Sequence, residues 1–319
     1  MKIVCITPIK HLDGVYERLE QYGELIYLPE ISKLELTALL ETPAIEYLFT
    51  NPNKQNFVLD EEVLKNSYVK VINTCSTGLN HIDMDYCERN NIEVLSLKED
   101  FELINELPST AELSFGLMMS LLRKIPEGFN SVKKGEWDYE PFIGRQVKGL
   151  TIGIVGFGRL GKITTELLKG WGVEILINDP YVPKKFKLPP GKIEQVEIKE
   201  LQKKSDIVFL HLHANKETRN MVDEKFLSNM KKGSVLINTS RGELVDEEAI
   251  IKSITDGYLG GYGTDVISDE FGNISDSKLV KFSRENDNVL ITPHVGGMTW
   301  EGQTKAYKWA VDKFGEING

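Results

Sequence analysis

The stretch Gly149–Gly161, which reads GLTIGIVGFGRLG, decides the fold. Its run Thr151–Val155 is typical of a buried strand, and three glycines follow it at Gly156, Gly158 and Gly161. Between a strand and a helix, glycines with this spacing allow a tight turn and let a ligand approach the backbone closely. The amide groups that begin such a helix face a pyrophosphate. The stretch therefore predicts a dinucleotide-binding turn in a parallel α/β sheet.

A carboxylate stands where such a site needs one. Asp179 ends the next predicted strand, Val173–Ile177, and lies 18 residues beyond Gly161. There it can accept hydrogen bonds from the adenosine ribose hydroxyls, which favours NAD over NADP. Lys184 and Lys185 lie close enough to keep NADP open, because a 2′-phosphate needs a cation nearby. The predicted cofactor is NAD.

Two other enzyme classes share parts of this pattern. The glycines and the lysine that follows them are close to the phosphate-binding loop of NTPases, but Ile163 replaces the Ser or Thr that would bind magnesium. Tyr181 and Lys185 have the spacing of short-chain dehydrogenases, but Pro183 would break the helix that this spacing requires. The residues favour neither class.

Apolar runs and helical segments alternate on both sides of the opening stretch. Pro108–Lys124 reads as one long helix that interrupts the alternation. The predicted strands are Lys2–Thr7, Glu24–Leu28, Ile45–Thr50, Val69–Thr74 and Ile92–Leu95 before it, and Thr151–Val155, Val173–Ile177, Ile207–Leu210, Ser234–Asn238, Leu259–Thr264 and Val289–Ile291 after it. Two such series predict two doubly wound parallel-sheet α/β domains. The C-terminal helix, about Trp300–Phe314, either caps the second domain or returns to the first, and periodicity does not decide between these courses.

The composition excludes several classes of partner. The 319-residue chain has a formal charge of -10 and a pI near 5.2, so no excess positive charge attracts nucleic acid or an anionic membrane surface. Its three cysteines show no Cys-x-x-Cys spacing, so neither a disulfide framework nor a zinc site is predicted. Met1–Lys10 has no signal-peptide core, and no segment has the apolar length of a membrane span. We expect a cytoplasmic protein without a bound metal.

Three chemically useful side chains follow predicted strands in the second half of the chain. Arg241, Glu270 and His294 each lie shortly after a strand. The carboxyl ends of parallel strands share one edge of a sheet, where ligands bind in α/β folds. Singly, each residue would be ordinary, because an arginine is mostly exposed and a lone histidine is usually structural. Together, beside a dinucleotide site, they supply the charge clamp and the proton donor that hydride transfer to a carbonyl needs.

Several motifs together carry a family resemblance. They are Gly149–Gly161, Asn238–Gly242, the run from Asp265 to Glu270, and Pro293–Gly297, with weaker support from Thr77-Gly78, Asn80–Asp83, Ala111-Glu112 and Trp137. In these motifs the chain resembles the D-isomer-specific 2-hydroxyacid dehydrogenase family, most specifically over residues 145–302. The resemblance implies a Rossmann nucleotide-binding domain, residues 105–294, inserted in a flavodoxin-like substrate domain, residues 1–104 and 295–319. It also implies a homodimer.

The resemblance implies a role for each of the three side chains. Arg241 would bind the substrate carboxylate and the reacting oxygen, His294 would act as acid and base, and Glu270 would orient His294. A carboxylate beside an imidazole raises the imidazole pKa, which keeps a proton available for carbonyl reduction near neutral pH. In the oxidative direction neutral His294 would accept the hydroxyl proton.

Substrate and cofactor positions follow from the same resemblance. Backbone amides around Ser76, Thr77 and Gly78 would hold the substrate carboxylate, and Asp265 would lie near the nicotinamide. This places the reaction between the two domains. The positions expected to contact the cofactor are Gly156, Gly158, Arg159, Leu160, Gly161, Asp179, His211, Leu212, His213, Thr239, Ser240, Arg241, Asp265, His294, Gly296 and Gly297.

The chain departs from the family pattern at two positions. His213 stands where members usually have proline, against the adenine. On a strand, His211 and His213 would point to the same face, but no third metal ligand is identifiable, so no metal site is predicted. Phe271 follows Glu270 where proline is customary, which leaves the shape of that loop open.

The predicted reaction interconverts a 2-oxo acid and a D-2-hydroxy acid with NAD(H). 3-Phosphoglycerate stays among the candidate substrates, although Asn51–Asn56 offers only Lys54 where phosphoglycerate-type members carry arginines. A phosphite dehydrogenase-type enzyme would use a similar framework, whereas Glu270 argues against formate chemistry, for which the resemblance leads one to expect glutamine. An NAD(H)-sensing, corepressor-like binding protein is the non-enzymatic alternative, because a fold alone does not decide function.

Overall fold

The computed structural model describes residues 2–51, 56–183 and 192–318. Lys54, Lys184 and Lys185 lie outside these ranges. The chain divides into two compact units. The first is Met1–Leu107 with Met298–Gly319, and the second is Pro108–Gly297.

Strands and helices alternate through the first unit. In order they are β1 Lys2–Cys5, α1 Val15–Glu20, β2 Glu24–Tyr27, α2 Lys33–Leu40, β3 Ile45–Thr50, α3 Glu61–Leu64, β4 Val71–Thr74, α4 Met84–Arg89, β5 Glu93–Leu95 and α5 Phe101–Ile104. The strands form one parallel sheet in the order β2-β1-β3-β4-β5, which is the flavodoxin-like order. Successive side chains point to opposite faces, so Ile3 and Cys5 join one apolar cluster while Val4 and Ile6 join another. The sheet is covered on both faces.

The second unit starts with two helices and then alternates strands with helices. Its elements are α6 Ser109–Arg123, α7 Ile125–Lys133, β6 Thr151–Val155, α8 Arg159–Leu167, β7 Glu174–Asn178, β8 Ile193–Gln195, α9 Ile198–Lys204, β9 Ile207–Leu210, α10 Glu224–Asn229, β10 Val235–Asn238, α11 Glu247–Thr255, β11 Gly261–Thr264, α12 Lys278–Ser283 and β12 Val289–Ile291. The parallel strand order is β12-β11-β10-β9-β6-β7-β8. This is the Rossmann order with one strand added at the edge. Ile152 and Ile154 face one apolar cluster, and Val155 faces the other.

The last helix, α13 Trp300–Asn318, belongs to the first unit. Its Tyr307, Val311 and Phe314 are buried in the apolar cluster that includes Ile3 and Phe49. Of the two courses that periodicity left open, the chain takes the return to the first sheet. The two parallel, doubly wound sheets confirm the predicted fold class.

Some local features differ from the sequence prediction. Helix α1 begins at Val15, directly after Gly14, which adopts a left-handed conformation with φ 71°. Strand β9 ends at Leu210, so His211 and His213 lie beyond the strand on which their side chains would have pointed to the same face. Helix α7 and the three-residue edge strand β8 were not predicted. Across the described ranges, no helix is both long and apolar enough to span a membrane.

Candidate active site

The glycine turn connects β6 to α8, and its three glycines have different roles. Gly156 has φ 93°, and a Cβ there would lie 2.2 Å from the backbone oxygen of His211. A Cβ on Gly161 would lie 2.3 Å from the backbone oxygen of Gly156. Gly158, by contrast, has no described atom within 4 Å of its Cβ position. Two glycines thus allow the turn to close, and the third leaves open space at the N terminus of α8.

Asp179 is anchored directly beside this turn. Its Oδ2 accepts the backbone N–H of Phe157 at 2.7 Å, and its Oδ1 accepts the backbone N–H of Tyr181 at 2.8 Å. Each carboxylate oxygen keeps a second lone pair for a further donor. Among the described residues, no side chain caps the N terminus of α8, which leaves that helix end to a ligand. The turn and its carboxylate therefore fit a dinucleotide.

His211 is buried and serves the fold of this turn. Its Nε2 lies 2.8 Å from Thr164 Oγ1 in α8. Burial, together with the charge of Arg159, lowers the pKa of His211 to about 3, so the ring is neutral. His213 is exposed, so the two rings do not share one environment. In the described part of the chain, no group of three His, Cys, Asp or Glu side chains is placed to hold a metal ion.

Hydroxyl groups fix the end of β10, from which Arg241 follows. Thr239 Oγ1 lies 2.7 Å from Ser114 Oγ in α6, and Ser240 Oγ donates to the backbone oxygen of Leu210 at 2.8 Å. Arg241 is half-buried, and its Nη1 donates to the Ser240 carbonyl at 2.6 Å. The side chains of Thr239 and Ser240 thus hold the backbone, while the guanidinium lies at the strand end where it was expected.

His294 lies within hydrogen-bond distance of Glu270, the pairing that the family resemblance implies. His294 Nδ1 lies 2.7 Å from Glu270 Oε2. This contact raises the pKa of His294 above its ordinary 6.5, and the charge of Asp265 adds to the rise, whereas burial and the charge of Arg241 oppose it. The positive charge of Arg241 therefore acts on the same imidazole. Protonated His294 keeps Nε2 as its second donor.

Asp265 fixes the backbone around His294. Its Oδ1 accepts Thr292 Oγ1 at 2.5 Å and the Val295 N–H at 2.9 Å, and its Oδ2 accepts the Gly296 N–H at 2.7 Å. The His294 N–H donates to the backbone oxygen of Asp265 at 3.0 Å. His294 has φ 54°, a left-handed conformation that costs about 1–2 kcal/mol for a residue with a side chain. The four hydrogen bonds hold the turn in this conformation.

The Ser76–Gly78 segment follows β4 in the first unit. Ser76 Oγ donates to the backbone oxygen of Gly78 at 2.6 Å. Thr77 is exposed, and Ser76 and Gly78 are half-buried. Among the hydrogen bonds of the described residues, none has the backbone N–H of Ser76, Thr77 or Gly78 as its donor. Three successive amides are therefore available to an anion.

Sequence reasoning missed the residues that support this site. Ser114, Thr164 and Thr292 each place a hydroxyl group on a predicted site residue. For Thr292, its position directly after β12 and two residues before His294 was an available signal. Nothing in the sequence singled out Ser114 or Thr164, because their partners lie far along the chain.

The comparisons with known proteins agree with this geometry. Residues 115–296 match the profile of the D-isomer specific 2-hydroxyacid dehydrogenase NAD binding domain. Over 96% of its length the chain is 30% identical to a D-3-phosphoglycerate dehydrogenase from Methanocaldococcus jannaschii. Over 77% of its length it is 34% identical to a glyoxylate reductase from Thermococcus litoralis. The chain belongs to the D-isomer specific 2-hydroxyacid dehydrogenase family.

Family members differ in length and in the substrates for which they are named. The chain spans 55% of the M. jannaschii protein and 73% of the T. litoralis protein. Among solved structures it resembles a D-lactate dehydrogenase from Aquifex aeolicus, in complex with NAD and lactic acid, at 26% identity and a TM-score of 0.79. That match covers 99% of this chain and 95% of the other. Membership in the family therefore identifies the NAD-binding domain but does not identify the substrate.

Proposed function

We propose that this chain is an NAD-dependent dehydrogenase that interconverts a 2-oxo acid and a D-2-hydroxy acid. The observation that carries the proposal is the contact of His294 with Glu270, in the same unit as Arg241 and the glycine turn. An imidazole with a raised pKa supplies a proton to a carbonyl oxygen near neutral pH. Membership in the family supports the same reaction.

The residues divide the work of carbonyl reduction. A bound nicotinamide supplies the hydride to the carbonyl carbon. Protonated His294 donates its Nε2 proton to the carbonyl oxygen, and Glu270 stabilises the imidazolium through Nδ1. In oxidation, neutral His294 takes the hydroxyl proton. Arg241 provides a fixed positive charge for the substrate carboxylate and for the oxygen that gains charge.

We infer that each unit binds one reactant. The second unit would hold NAD, with the glycine turn at the pyrophosphate and Asp179 at the ribose hydroxyls. The first unit would hold the substrate carboxylate on the amides of Ser76, Thr77 and Gly78. Asp265 and the segment 294–297 would lie at the nicotinamide. The open space at Gly158 and the lone pairs of Asp179 support the cofactor assignment.

We also propose that two copies of the chain form a homodimer. The segment from α7 to Ile143 exposes several large apolar side chains, and Trp137 is 92% exposed. Scattered exposed apolar residues are ordinary, but a run of aromatic residues in one segment is typical of an interface. The segment is held in place, since Lys124 Nζ donates to the Pro141 carbonyl at 2.8 Å. The family resemblance supports a second copy as the occupant.

A reducing compartment such as the cytoplasm is the proposed location. Cys5, Cys75 and Cys87 are all buried and none is in a disulfide. Burial raises the pKa of Cys5 to about 12 and of Cys87 to about 11, and raises that of Cys75 well above its ordinary value. Thiols in this state are unreactive and survive reducing conditions unchanged.

The direct test measures NADH oxidation with glyoxylate, pyruvate, hydroxypyruvate and 3-phosphohydroxypyruvate. Turnover of at least one, with the D-hydroxy acid as product, is expected. His294→Gln should abolish turnover while NADH still binds. Tight NADH binding without turnover of any oxo acid would contradict the proposed enzyme and favour an NAD(H)-sensing binding protein. Oxidation of phosphite instead of a hydroxy acid would identify the phosphite-type alternative.

A further inference from the structure

A buried histidine is connected to the Ser76–Gly78 segment of the first unit by side-chain hydrogen bonds. His81 is 1% exposed, and its Nε2 lies 2.9 Å from Thr74 Oγ1 at the end of β4. Thr74 Oγ1 also lies 3.1 Å from Ser76 Oγ, which donates to the Gly78 carbonyl at 2.6 Å. These contacts connect the imidazole of His81, the hydroxyl groups of Thr74 and Ser76, and the carbonyl of Gly78 in one series of hydrogen bonds, which we call the His81 relay.

The number of hydrogens fixes the direction of the relay. Each hydroxyl group has one hydrogen to donate. The Ser76 hydrogen is used on the Gly78 carbonyl, so the contact with Thr74 requires Thr74 to donate. The Thr74 hydrogen is then used as well, so His81 must donate from Nε2. The relay therefore runs from His81 through Thr74 and Ser76 to Gly78, and each of its three oxygens accepts one hydrogen bond.

The charge state of His81 agrees with this direction. Burial lowers its pKa to about 4, so the ring is neutral at physiological pH. A neutral imidazole carries one N–H, and the relay places it on Nε2. A single tautomer is therefore selected.

The relay determines how the Ser76–Gly78 segment presents itself to an anion. A carbonyl oxygen without a partner would repel a carboxylate that approached the same segment. Here the Gly78 carbonyl is held by Ser76 Oγ, while the backbone N–H groups of Ser76, Thr77 and Gly78 have no acceptor among the described residues. The segment thus offers three backbone donors, and its Gly78 carbonyl is engaged by Ser76 Oγ.

We propose that His81 is a positioning residue that, through Thr74 and Ser76, holds the Ser76–Gly78 amides in the arrangement that binds the substrate carboxylate. The proposal rests on the proposed function, because it assigns the role of a residue in the same substrate site. His81 itself does not touch the substrate. Its effect should therefore appear in substrate binding and not in the chemical step.

Two pairs of variants separate the relay from simple packing. Thr74→Val removes the central hydroxyl at nearly constant shape, and Thr74→Ser keeps it. His81→Leu removes the Nε2 donor, and His81→Gln keeps an N–H group near the same position. For the 2-oxo acid that the wild type reduces, Thr74→Val and His81→Leu should each raise KM about tenfold, the effect of losing one well-placed hydrogen bond. The kcat value and the NADH affinity should change little, and Thr74→Ser and His81→Gln should restore KM.

Unchanged KM in Thr74→Val would overturn the proposal. So would a parallel fall of kcat, substrate affinity and NADH affinity, because that pattern indicates a general loss of structure. A ¹⁵N NMR spectrum of the imidazoles tests the relay without any turnover, and His81→Gln assigns the His81 signals among those of the five histidines. The Nε2–H tautomer is expected, and an Nδ1–H tautomer contradicts the relay. If the wild type reduces no 2-oxo acid, the proposed function fails, and the tautomer still decides whether the relay exists.

Discussion

Glu270 Oε2 lies 2.7 Å from His294 Nδ1, so a carboxylate holds the imidazole at one nitrogen and leaves Nε2 for a second hydrogen bond. The contact orients the ring and favours its protonated form at the same time. Both effects are needed for an acid that works at neutral pH, because the ordinary pKa of histidine is about 6.5. Glu270 therefore acts on both the charge and the orientation of His294.

The first prediction concerns pH. In the proposed mechanism reduction requires protonated His294, so kcat/KM for the oxo acid should fall as pH rises through the raised pKa of this residue. Glu270→Gln removes the negative charge and should move the falling limb to lower pH. The contribution of His294 to the free energy of unfolding has the same pH dependence. A raised pKa in the folded state stabilises the protein at low pH, and this stabilisation is lost as pH rises through that pKa.

The matched control for this experiment is Glu217→Gln, which changes the net charge equally at an exposed position of the same unit. It should leave the pH profile in place. If Glu270→Gln and the wild type gave superimposable profiles, Glu270 would not set the pKa of His294.

The second prediction concerns Asp265, whose carboxylate holds the turn around His294. Asp265→Asn replaces one acceptor with an N–H₂ group that faces backbone donors, and it should lower the free energy of unfolding by about 1–3 kcal/mol. Displacement of His294 should also lower kcat at least about tenfold. Urea unfolding and single-turnover kinetics measure the two effects.

Thr292→Val is the graded comparison for this change. It removes one donor to Asp265 and leaves the two backbone hydrogen bonds of Val295 and Gly296 in place. Its effects should therefore be smaller than those of Asp265→Asn. Equal kcat values in Asp265→Asn and the wild type would show that the left-handed turn does not depend on this carboxylate.

Much of the fold could be predicted because parallel strands leave a strong signal. Both of their faces are buried, so they read as continuous apolar runs such as Thr151–Val155 and Ile207–Leu210. Strand β8, Ile193–Gln195, has no such run, because it lies at the sheet edge and is only partly buried. Its assignment depends on pairing with β7, which periodicity does not encode.

In the candidate site too, some features could be predicted from the sequence and others could not. The positions of Arg241, Glu270 and His294 after strands could be predicted from the apolar runs that precede them, and the roles of these residues stay a prediction. The hydrogen bonds of Asp265 to this turn could not be predicted, because they depend on the left-handed backbone of His294. The His81 relay could not be predicted either, since a histidine in a polar turn gives no sign of being buried.

The third prediction concerns stability at acid pH. Asp206 accepts hydrogen bonds from Arg145, Lys231 and the Thr151 N–H. Burial by itself raises the pKa of Asp206, but these three donors outweigh it and leave the pKa below its ordinary 3.8. A lowered pKa in the folded state stabilises at neutral pH, and the effect is lost as pH falls through that pKa.

Asp206→Asn should therefore lower the free energy of unfolding by about 1–3 kcal/mol at pH 7, with a smaller difference at acid pH. Glu200→Gln is the control, because it breaks the exposed pair with Lys204 and should change stability by less than about 0.5 kcal/mol. Urea unfolding of the wild type and the two variants at several pH values measures these differences. A difference that grew as pH fell would contradict the assigned sign.

The fourth prediction concerns assembly. Trp137→Ser combined with Phe129→Ser removes two aromatic side chains from the proposed interface, and it should shift the protein from dimer to monomer in sedimentation experiments. Leu34→Ser is the control, because Leu34 is 81% exposed on α2, outside that segment. It should leave the dimer intact. A monomeric wild type at micromolar concentration would refute the dimer.

The last prediction separates the two kinds of glycine in the turn. Gly156→Ala would force a Cβ to 2.2 Å from the His211 oxygen at a φ of 93°, so it should destabilise the second unit, with a lower melting temperature. Gly158→Ala adds a Cβ that meets no described atom within 4 Å, at a φ of -73°, so the melting temperature should stay close to that of the wild type.

NADH binding distinguishes the pair further. In Gly158→Ala the added methyl group lies at the N terminus of α8, where the pyrophosphate must approach the backbone closely. NADH affinity, measured by fluorescence, should therefore fall although the fold is intact. An unchanged melting temperature together with unchanged NADH affinity would mean that the cofactor does not approach this turn. A large loss of stability in Gly158→Ala would instead mean that the open space beside Gly158 is needed by the fold.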